Sequence, residues 1–319
     1  MTAGTILIVT SKFDPHADRV IGHLRASDAP VFRLNTDDFH TEIQVVASEG
    51  SHALRDRWGR TAELPAGIRS AWYRKPVAPA PPPGVDDPAT QRLIAGETAA
   101  LLDGIAATPG LHWVNAPHDI ARARHKLPQL ALARSLGLTV PRTLATNDPA
   151  EARVFAAGNR LLCKALREVG FGDEHEWHSL FARPVPPEAL EANLAAIANC
   201  PTLFQHYTEK SHELRVTFIG DAVFCCRIDS QSVPGAEADW RRADPFAVPH
   251  RMVPLDPAIE AALRAMLAHY TLRYGAFDLI VTPTGEHVFL ELNPNGQFLW
   301  MELITGAPMA RAMADLLAG

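Results

Sequence analysis

Cysteine is sparse in this sequence, and its spacing carries no metal or disulfide pattern. No cysteine belongs to a Cys-x-x-Cys pair or stands at a zinc-ligand spacing from a histidine, and two cysteines are adjacent. This usage argues against a disulfide framework. We therefore interpret all four as reduced core residues: Cys163, Cys200, Cys225 and Cys226.

The sequence also lacks a long apolar run and a cluster of basic residues. The first apolar stretch, TILIVT, is followed at once by Ser11, Lys12 and Asp14, which excludes a signal peptide and a membrane span. The formal net charge is −6, from 36 acidic and 30 basic residues, and it disfavours broad electrostatic binding to nucleic acid. We expect a cytoplasmic protein that binds neither membranes nor nucleic acid.

Two glycine-rich nucleotide motifs are missing. No G-x-G-x-x-G follows the first strand pattern, which argues against a dinucleotide site of the Rossmann type. No G-x-x-x-x-G-K-[ST] occurs in the chain, so a P-loop is excluded as well.

Lysine is scarce relative to arginine. Only five of the 30 basic residues are lysines, namely Lys12, Lys75, Lys126, Lys164 and Lys210. An ammonium group is a compact point charge that is often used on phosphates. Each lysine therefore has extra weight as a candidate functional residue.

The N-terminal part of the chain has the pattern of a parallel α/β layer. TILIVT (5–10) is typical of a buried strand, Asp14 before a proline is typical of a helix start, and PVFRLN predicts a second strand. A strand-helix-strand start of this kind places ligands near the carboxyl ends of the strands. A proline-dense loop over 76–88 and a helix at about 89–107 follow.

The rest of the chain predicts a helical segment and two α+β units. We expect a helix kinked or divided at Pro128 and stopped at Gly137. Short strands and a helix follow, and then longer strands, a helix, a hairpin over 276–293 and a final helix. At 319 residues, two or three domains are expected. We place them at 1–115, 116–205 and 206–319.

The segment VFLELNPNGQFLW (288–300) ends a strand pattern with polar side chains. Strict alternation predicts that Phe289, Glu291 and Asn293 share one face of the strand. Two polar groups then point together into whatever covers that face.

The preceding strand places a second carboxylate in the same neighbourhood. If Thr282 pairs with His287 around the turn, Asp278 lies opposite Glu291. Opposed like charges destabilise a sheet, whereas two carboxylates with the Asn293 oxygen suit Mg²⁺. The alternative is a solvated hairpin face with ordinary surface acids.

Taken in order, these residues resemble the ATP-grasp superfamily. More narrowly, the chain is similar to the ATP-grasp maturases of ribosomal peptides of the microviridin type. The resemblance spans nearly the whole chain, including TSKFDPHADRVIGHL, AWYRKP, LRVTFIGDAVFCCRIDSQ, DWRR and LELNPNGQFLWMELITGAPMARAMADLL. It implies a mixed α/β and α+β architecture, in which an N-terminal parallel α/β pre-ATP-grasp domain precedes the ATP-grasp fold.

The resemblance also implies a set of site residues. The cofactors would be ATP and two Mg²⁺ ions. Phosphates would be bound by Lys126 and Lys164, the nucleoside by Gln205, Tyr207 and Glu213, and the metal by Asp278, Glu291 and Asn293; Arg215 and Arg227 would face the transferred phosphoryl group. The alternatives are structural roles: Lys126 could lie on a helix face in contact with solvent, Glu213 could form a surface pair with Arg215, and Arg215 or Arg227 could form a structural ion pair.

Substrate contacts are predicted from the same resemblance. Arg19 and Arg74 would face a substrate carboxylate across a domain cleft. A peptide leader would bind at about 176–199, where Glu188 and Glu191 could pair with a basic leader residue. The loop after Lys164 would close over the phosphates, although its four acids between 168 and 176 depart from the family pattern.

The implied activity is ATP-dependent ligation within a ribosomal precursor peptide, leader plus core. An Asp or Glu side chain would be activated as an acyl phosphate and joined to a Ser/Thr hydroxyl or a Lys amine. Two alternatives stay open: a ligase of the glutamate-ligase type that adds a free amino acid, and a nucleotide-binding regulator without turnover. The resemblance is also compatible with a homodimer.

Overall fold

A computed structural model describes residues 4–166, 170–172, 177–179 and 182–319 of the chain. Within these ranges, the helices are too short or too polar to cross a membrane.

The N-terminal unit is built on the predicted parallel sheet. Apolar side chains cover both faces of the first strand, as expected where helices pack on each side of a parallel sheet. The strand order is β2-β1-β6-β7, and a separate antiparallel sheet, β3-β4-β5, follows the second strand. The elements are β1 (Thr5–Thr10), α1 (Pro15–Ala26), β2 (Val31–Asn35), α2 (Phe39–Glu42), β3 (Ile43–Ser48), β4 (Ser51–Asp56), β5 (Thr61–Leu64), β6 (Ile68–Tyr73), α3 (Pro88–Ala106) and β7 (Trp113–Val114).

The middle of the chain contains two helices and a small antiparallel sheet. The sheet order is β12-β9-β13-β8. A short hairpin, β10-β11, occurs in the chain between β9 and β12. Two helices cover the sheet with a small apolar core of their own. The elements are α4 (Pro117–Ala123), α5 (Lys126–Ser135), β8 (Thr143–Thr146), α6 (Pro149–Ala156), β9 (Leu161–Lys164), β10 (Gly170–Gly172), β11 (Trp177–Ser179), β12 (Arg183–Val185), α7 (Pro187–Ile197) and β13 (Thr202–His206).

The C-terminal unit contains the largest sheet among the described residues, an antiparallel sheet in the order β16-β15-β14-β17-β18. One face packs against α5 and α8 through a core that includes Val216, Phe218 and Phe277. The elements are β14 (His212–Ile219), β15 (Ala222–Ile228), β16 (His250–Met252), α8 (Pro257–His269), β17 (Tyr274–Val281), β18 (His287–Asn293), α9 (Leu299–Thr305) and α10 (Met309–Ala318).

The predicted division of the helix at Pro128 is misplaced. The break falls between Ala123 and Lys126, and Pro128 lies in the first turn of α5. A proline is tolerated there because the first amides of a helix have no intrahelical acceptor. The predicted stop at Gly137 is confirmed by its positive φ of 85°.

The β17–β18 hairpin contains a β-bulge that the alternation argument missed. Val281, not Thr282, pairs with His287, and the register shifts by one residue between Asp278 and Leu279. Leu290 is the extra residue on β18, so Asp278 still faces Glu291. The predicted pairing of the carboxylates is thus confirmed, although the predicted turn register is wrong.

The bulge also changes which side chains share a face. Phe289 packs into the apolar core with Leu292, and its ring lies 6.3 Å from that of Phe277. Phe289 therefore lies on the opposite face from Glu291 and Asn293. The prediction from strict alternation, which placed all three on one face, is wrong for Phe289. A single extra residue reverses the alternation, and this allows one strand to serve both core and site.

Buried contacts join the N-terminal unit to the C-terminal sheet. The Asn115 side chain donates to the carbonyls of Tyr274 and Pro294, at 2.8 and 2.9 Å, and accepts from the amides of Arg273 and Tyr274. Helix α10 packs on α1 and β6, and a single apolar core contains residues of all three. The two units are therefore held together by an apolar interface with satisfied polar groups.

The cysteine prediction is only partly right. Cys225 and Cys226 are buried, Cys163 is half-buried and Cys200 is exposed, and all four are free thiols.

Candidate active site

Three strands of the C-terminal sheet bring charged side chains into one row. Arg215 on β14 is in register with Asp278 on β17, which is in register with Glu291 on β18. Residues directly opposite each other on neighbouring strands point to the same side of a sheet. We call the side that carries Arg215, Asp278, Glu291 and Asn293 the site face.

The side chains of the site face form a continuous network. The Arg215 guanidinium donates to Asp278 Oδ1 at 2.7 Å and to the Gln297 carbonyl at 3.1 Å. The Asn293 amide lies 3.1 Å from Asp278 Oδ2 and 3.3 Å from Glu291 Oε1. Both carboxylates and the amide thus converge on one small volume.

Two lysines approach this volume from the central part of the chain. Lys126, the first residue of α5, places its Nζ 2.8 Å from Glu291 Oε2. Lys164, the last residue of β9, donates to Gln205 Oε1 at 2.7 Å. Burial lowers the pKa of Lys164 to about 8, although the negative charge of Glu291 opposes that shift.

The two carboxylates have opposite pKa shifts. Burial favours a raised pKa for Glu291, but the ammonium of Lys126, aided by Lys164 and Arg241, outweighs it and holds the pKa well below its usual range. Burial raises the pKa of Asp278, and Arg215 only partly offsets this effect while the Glu291 charge adds to it. Further positive charge between the two carboxylates would favour ionisation of both.

The donor set fits a magnesium ion. Two carboxylates and an amide oxygen are hard ligands, and Mg²⁺ commonly takes one or two carboxylates and completes its shell with phosphate and water. The Asn293 Nδ2 atom lies within hydrogen-bond distance of both carboxylates. Rotation of the side-chain amide by about 180° would place its oxygen at this position, where it could bind the metal.

Arg241 is a cation that the residue-by-residue assignment missed. It lies in the single-turn helix Trp240–Arg242 and is held by Asp239 through contacts of 2.8 and 2.7 Å. Burial favours a lowered pKa for Arg241, but Asp239 outweighs it, and Asp278 and Glu291 add to the net rise. The motif DWRR, which is part of the family resemblance, contains Arg241 and is the signal in the sequence that points to it.

Arg227 is placed on the other side of the sheet. It is in register with Leu214, next to Arg215 on β14, so its side chain points away from the site face. There its Nε donates to Asp229 at 2.6 Å, and Arg251 pairs with the same carboxylate. This placement does not support the predicted catalytic role of Arg227, because one step along a strand reverses the side-chain direction.

The residues predicted for the nucleoside lie on β13, directly after it and at the start of β14. Gln205 is buried and joins Lys164 to Thr143 through its amide. Tyr207 is half-buried, with the Arg160 guanidinium 4.2 Å from its ring centre. Glu213 shares the side of Arg215 on β14 and accepts from Lys210 at 2.7 Å; burial raises its pKa in spite of that lysine.

The two arginines predicted to face a substrate carboxylate contact other residues of the chain instead. Arg74 is 1% exposed and donates to the carbonyls of Asn295 and Gly296, at 2.9 and 3.1 Å. Arg19 is exposed and its Nε contacts Glu302 at 3.1 Å. Arg74 is therefore a buried anchor of the loop after Asn293, and its predicted role in the open cleft is not supported.

The predicted leader region is described only in part. Glu191 on α7 forms a two-contact pair with Arg153 on α6, at 2.9 and 2.7 Å, and Glu188 is exposed. The four acids of the predicted phosphate-closing loop, at 168, 173, 174 and 176, lie outside the described residues.

Helix α5 supports the strand that carries Glu291. The Gln129 side chain donates to the Leu292 carbonyl at 2.8 Å and accepts from the Leu292 amide at 2.8 Å. It pairs with the edge of β18 as a neighbouring strand would. Gln129 and Lys126 lie three residues apart and therefore on the same side of the helix, so one helix face contacts both Glu291 and Leu292.

This architecture is shared with solved peptide-modifying ligases. Residues 5–121 match the family model of the MvdD pre-ATP-grasp domain. The chain is 31% identical to the macrocyclase MdnC of Microcystis aeruginosa MRC, solved with its precursor peptide MdnA; the match covers 98% of this chain and 99% of that chain, with a TM-score of 0.85.

A second similar structure is the RiPP-associated ATP-grasp ligase of Chryseobacterium gregarium, in complex with ADP and a leader and core peptide. It is 27% identical over 98% of this chain and 96% of that chain, with a TM-score of 0.88. No curated protein matches the chain. With the full-length match to MdnC, the resemblance found in the sequence is confirmed: the chain belongs to the ATP-grasp macrocyclases that mature ribosomally made peptides.

Proposed function

We propose that the protein is an ADP-forming ligase that closes ester or amide bonds between side chains of a ribosomal precursor peptide. The observation that carries this proposal is the row of Arg215, Asp278 and Glu291, with Lys126 bound to the last of them. The cations of this row can bind phosphate and stabilise a negatively charged intermediate, and its carboxylates can bind a divalent metal.

The proposed reaction has two steps. A side-chain carboxylate of Asp or Glu attacks the γ-phosphorus of ATP, ADP leaves, and an acyl phosphate forms. A Ser/Thr hydroxyl or a Lys amine then attacks the acyl carbon, inorganic phosphate leaves, and the proton of the attacking group passes to solvent. The peptide becomes the covalent intermediate, so the protein needs no nucleophile of its own, and positioning and electrostatics account for the acceleration.

The chain's residues take distinct roles in this proposal. Lys126 and Lys164 bind ATP phosphates, and Arg215 and Arg241 stabilise the charge that develops during phosphoryl transfer. Asp278, Glu291 and Asn293 would hold Mg²⁺, which when bound neutralises phosphate charge. Gln205, Tyr207 and Glu213 form the nucleoside side, and Arg227 is left out because it lies on the opposite face.

Further parts of the proposal follow from the resemblance. We assign residues 1–115 to the pre-ATP-grasp domain, 116–205 to the central ATP-grasp domain and 206–319 to the C-terminal domain. The partner is a precursor peptide with a leader and a core, as the two similar structures contain peptides of this kind. We place the reaction in the cytoplasm, where ATP and newly made peptide meet.

The experiment is an intact-mass measurement on the short peptides encoded beside the gene, after coexpression with the protein. Loss of one water per bond is expected with the wild type and is abolished by Glu291→Gln, which keeps the side-chain shape but removes the charge. Glu286→Gln is the matched control, since Glu286 lies at the turn of the same hairpin and its carboxylate accepts a hydrogen bond from Thr139 at 2.7 Å, which a glutamine oxygen can also accept.

The other outcomes separate the alternatives. Gain of an amino-acid residue would assign the protein to amino-acid addition of the glutamate-ligase type. Unchanged peptides together with measurable ATP binding would favour a nucleotide-binding regulator.

A further inference from the structure

Lys75 lies at the junction between the N-terminal unit and the site. It directly follows Arg74, whose guanidinium is fixed to the Asn295 and Gly296 carbonyls in the loop after Asn293. Its φ is 42°, in the left-handed region that residues with a side chain rarely adopt. Such conformations are concentrated at functional positions.

Lys75 differs from the other four lysines in its surroundings. Each of the other ammonium groups contacts a carboxylate or an amide oxygen: Lys12 with Asp38, Lys126 with Glu291, Lys164 with Gln205, and Lys210 with Glu213. Across the parts of the chain that the structure describes, no hydrogen bond or ion pair of the Lys75 ammonium is found. Lys75 is also exposed, so its ammonium is open to an anion from outside the chain.

The loop after Asn293 connects Lys75 with the site face, because Arg74, the residue before Lys75, donates to the Asn295 and Gly296 carbonyls and Arg215 donates to the Gln297 carbonyl. Desolvation by the part of the protein that covers the side chain lowers the pKa of Lys75, the positive charges of Arg74 and Arg215 lower it further, and Asp14 only partly opposes this. Asp14 is already engaged, because it accepts from the Thr10 hydroxyl at 2.7 Å and caps α1. Arg215 is likewise engaged with Asp278, whereas the Lys75 ammonium has no hydrogen-bond or ion-pair partner among the described residues and is available to a ligand.

We propose that the Lys75 ammonium binds the peptide carboxylate that is to be phosphorylated, and so orients it from the N-terminal side of the site. The inference rests on the proposed function and deepens it. Lys126 lies at the Glu291 end of the row and Lys164 beside Gln205. Lys75 instead follows Arg74, which binds the same loop that accepts a hydrogen bond from Arg215. The carboxylate-binding cation predicted at Arg74 is therefore assigned to the next residue.

The kinetic test uses Lys75→Gly and Lys75→Arg with the precursor peptide that the wild type modifies. Glycine retains the left-handed backbone and removes the ammonium, and arginine retains the charge. We expect Lys75→Gly to lower kcat/KM for the peptide by about ten- to a hundredfold, the range of a hydrogen bond to a charged group. Lys75→Arg should restore most of this loss, and calorimetric ADP–Mg²⁺ affinity should stay at the wild-type value in both.

Lys12→Ala is the control, because Lys12 is exposed and pairs with Asp38 on the N-terminal unit. A wild-type kcat/KM in Lys75→Gly would overturn the proposal. An equal loss of ADP affinity would overturn it too, since Lys75 would then serve the nucleotide. Thermal unfolding of each variant separates a folding defect from a binding defect.

A second measurement does not depend on the peptide. With only five lysines in the chain, reductive methylation followed by mass spectrometry can follow each one separately. In the presence of ADP and Mg²⁺, we expect glutarate, which carries the carboxylate of a Glu side chain, to slow methylation of Lys75 and to leave Lys12 unchanged. Equal methylation of Lys75 with and without glutarate would refute the assignment, even if the wild type modified none of the peptides and the proposed function failed.

Discussion

At the level of single residues, the site pairs each of its half-buried carboxylates with its own cation. Glu291 is bound by Lys126, Asp278 by Arg215 and Glu213 by Lys210, each at 2.7–2.8 Å. A charge that is partly removed from water is destabilising without a partner, so these pairs stabilise the arrangement of the site. Ligands that bring their own charges must exchange with these pairs.

Arg241 and Arg227 lie on different sides of the C-terminal sheet, so replacing each of them tests which side carries the active site. Arg241→Ala is expected to lower kcat/KM for peptide ligation by about a hundredfold or more, as seen when a cation or donor is removed from a developing charge. Arg227→Ala should change it by less than about fivefold, because it removes a partly exposed ion pair on the opposite face. Comparable losses in both variants would contradict the face assignment derived from the β14–β15 register.

At the level of elements, the edge strand β18 is positioned by a helix. Gln129 closes two hydrogen bonds with Leu292 between the two site residues of that strand. The strand has no further strand on its outer side in the described sheet, which would otherwise leave these backbone groups without partners.

Gln129→Leu is expected to destabilise the protein by about 1–3 kcal/mol, since it leaves a buried amide and carbonyl unsatisfied. It should also weaken ADP–Mg²⁺ binding, because Glu291 and Asn293 lose their fixed position. Urea unfolding and calorimetry measure the two effects. Arg134→Ala, on the exposed side of the same helix, should change stability by no more than about 0.5 kcal/mol; a similar change in both variants would argue against the role of Gln129.

At the level of the whole molecule, His16 couples the N-terminal unit to the C-terminal helices. Its Nε2 accepts from the amides of Phe298 and Leu299, both at 3.1 Å, which requires a neutral ring nitrogen. Burial lowers the pKa of His16, and the charges of Arg74 and Lys75 add to this, although Asp14 opposes it.

The sign of the pH dependence follows from this lowered pKa. In the unfolded chain the histidine takes up a proton near its ordinary pKa of about 6.5, whereas the folded protein resists protonation. The stabilisation is therefore present above about pH 6.5 and is lost as the pH falls towards the folded pKa. Asp14, with its pKa lowered to about 2, gives up its own contribution only at much lower pH.

We expect the free energy of unfolding to fall between pH 7.5 and 5.5, with a slope of up to about 1.4 kcal/mol per pH unit from this residue. His16→Gln, which keeps an acceptor oxygen but cannot titrate, should reduce that slope. His212 and His250 also have lowered pKa values, so some slope should persist. An unchanged slope in His16→Gln, measured by urea titration at each pH, would show that His16 does not carry the effect.

The sequence by itself determined the parallel N-terminal sheet, the C-terminal hairpin that carries Asp278 and Glu291, and the family. These features depend on local patterns, such as apolar runs, a capped helix and short ordered motifs, that are read directly from neighbouring residues. The scarcity of lysine drew attention to all five lysines, and the family resemblance selected Lys126 and Lys164 among them. The structure brings both close to the site face.

Only the tertiary structure decided which side of each strand faces the site. The bulge at Leu290 moved Phe289 into the core, the β14–β15 register turned Arg227 away, and the contact of Arg74 with Asn295 left Lys75 beside the site. Each outcome depends on pairing between segments far apart in the chain, where a shift of one residue reverses the direction of a side chain. No local pattern records that register.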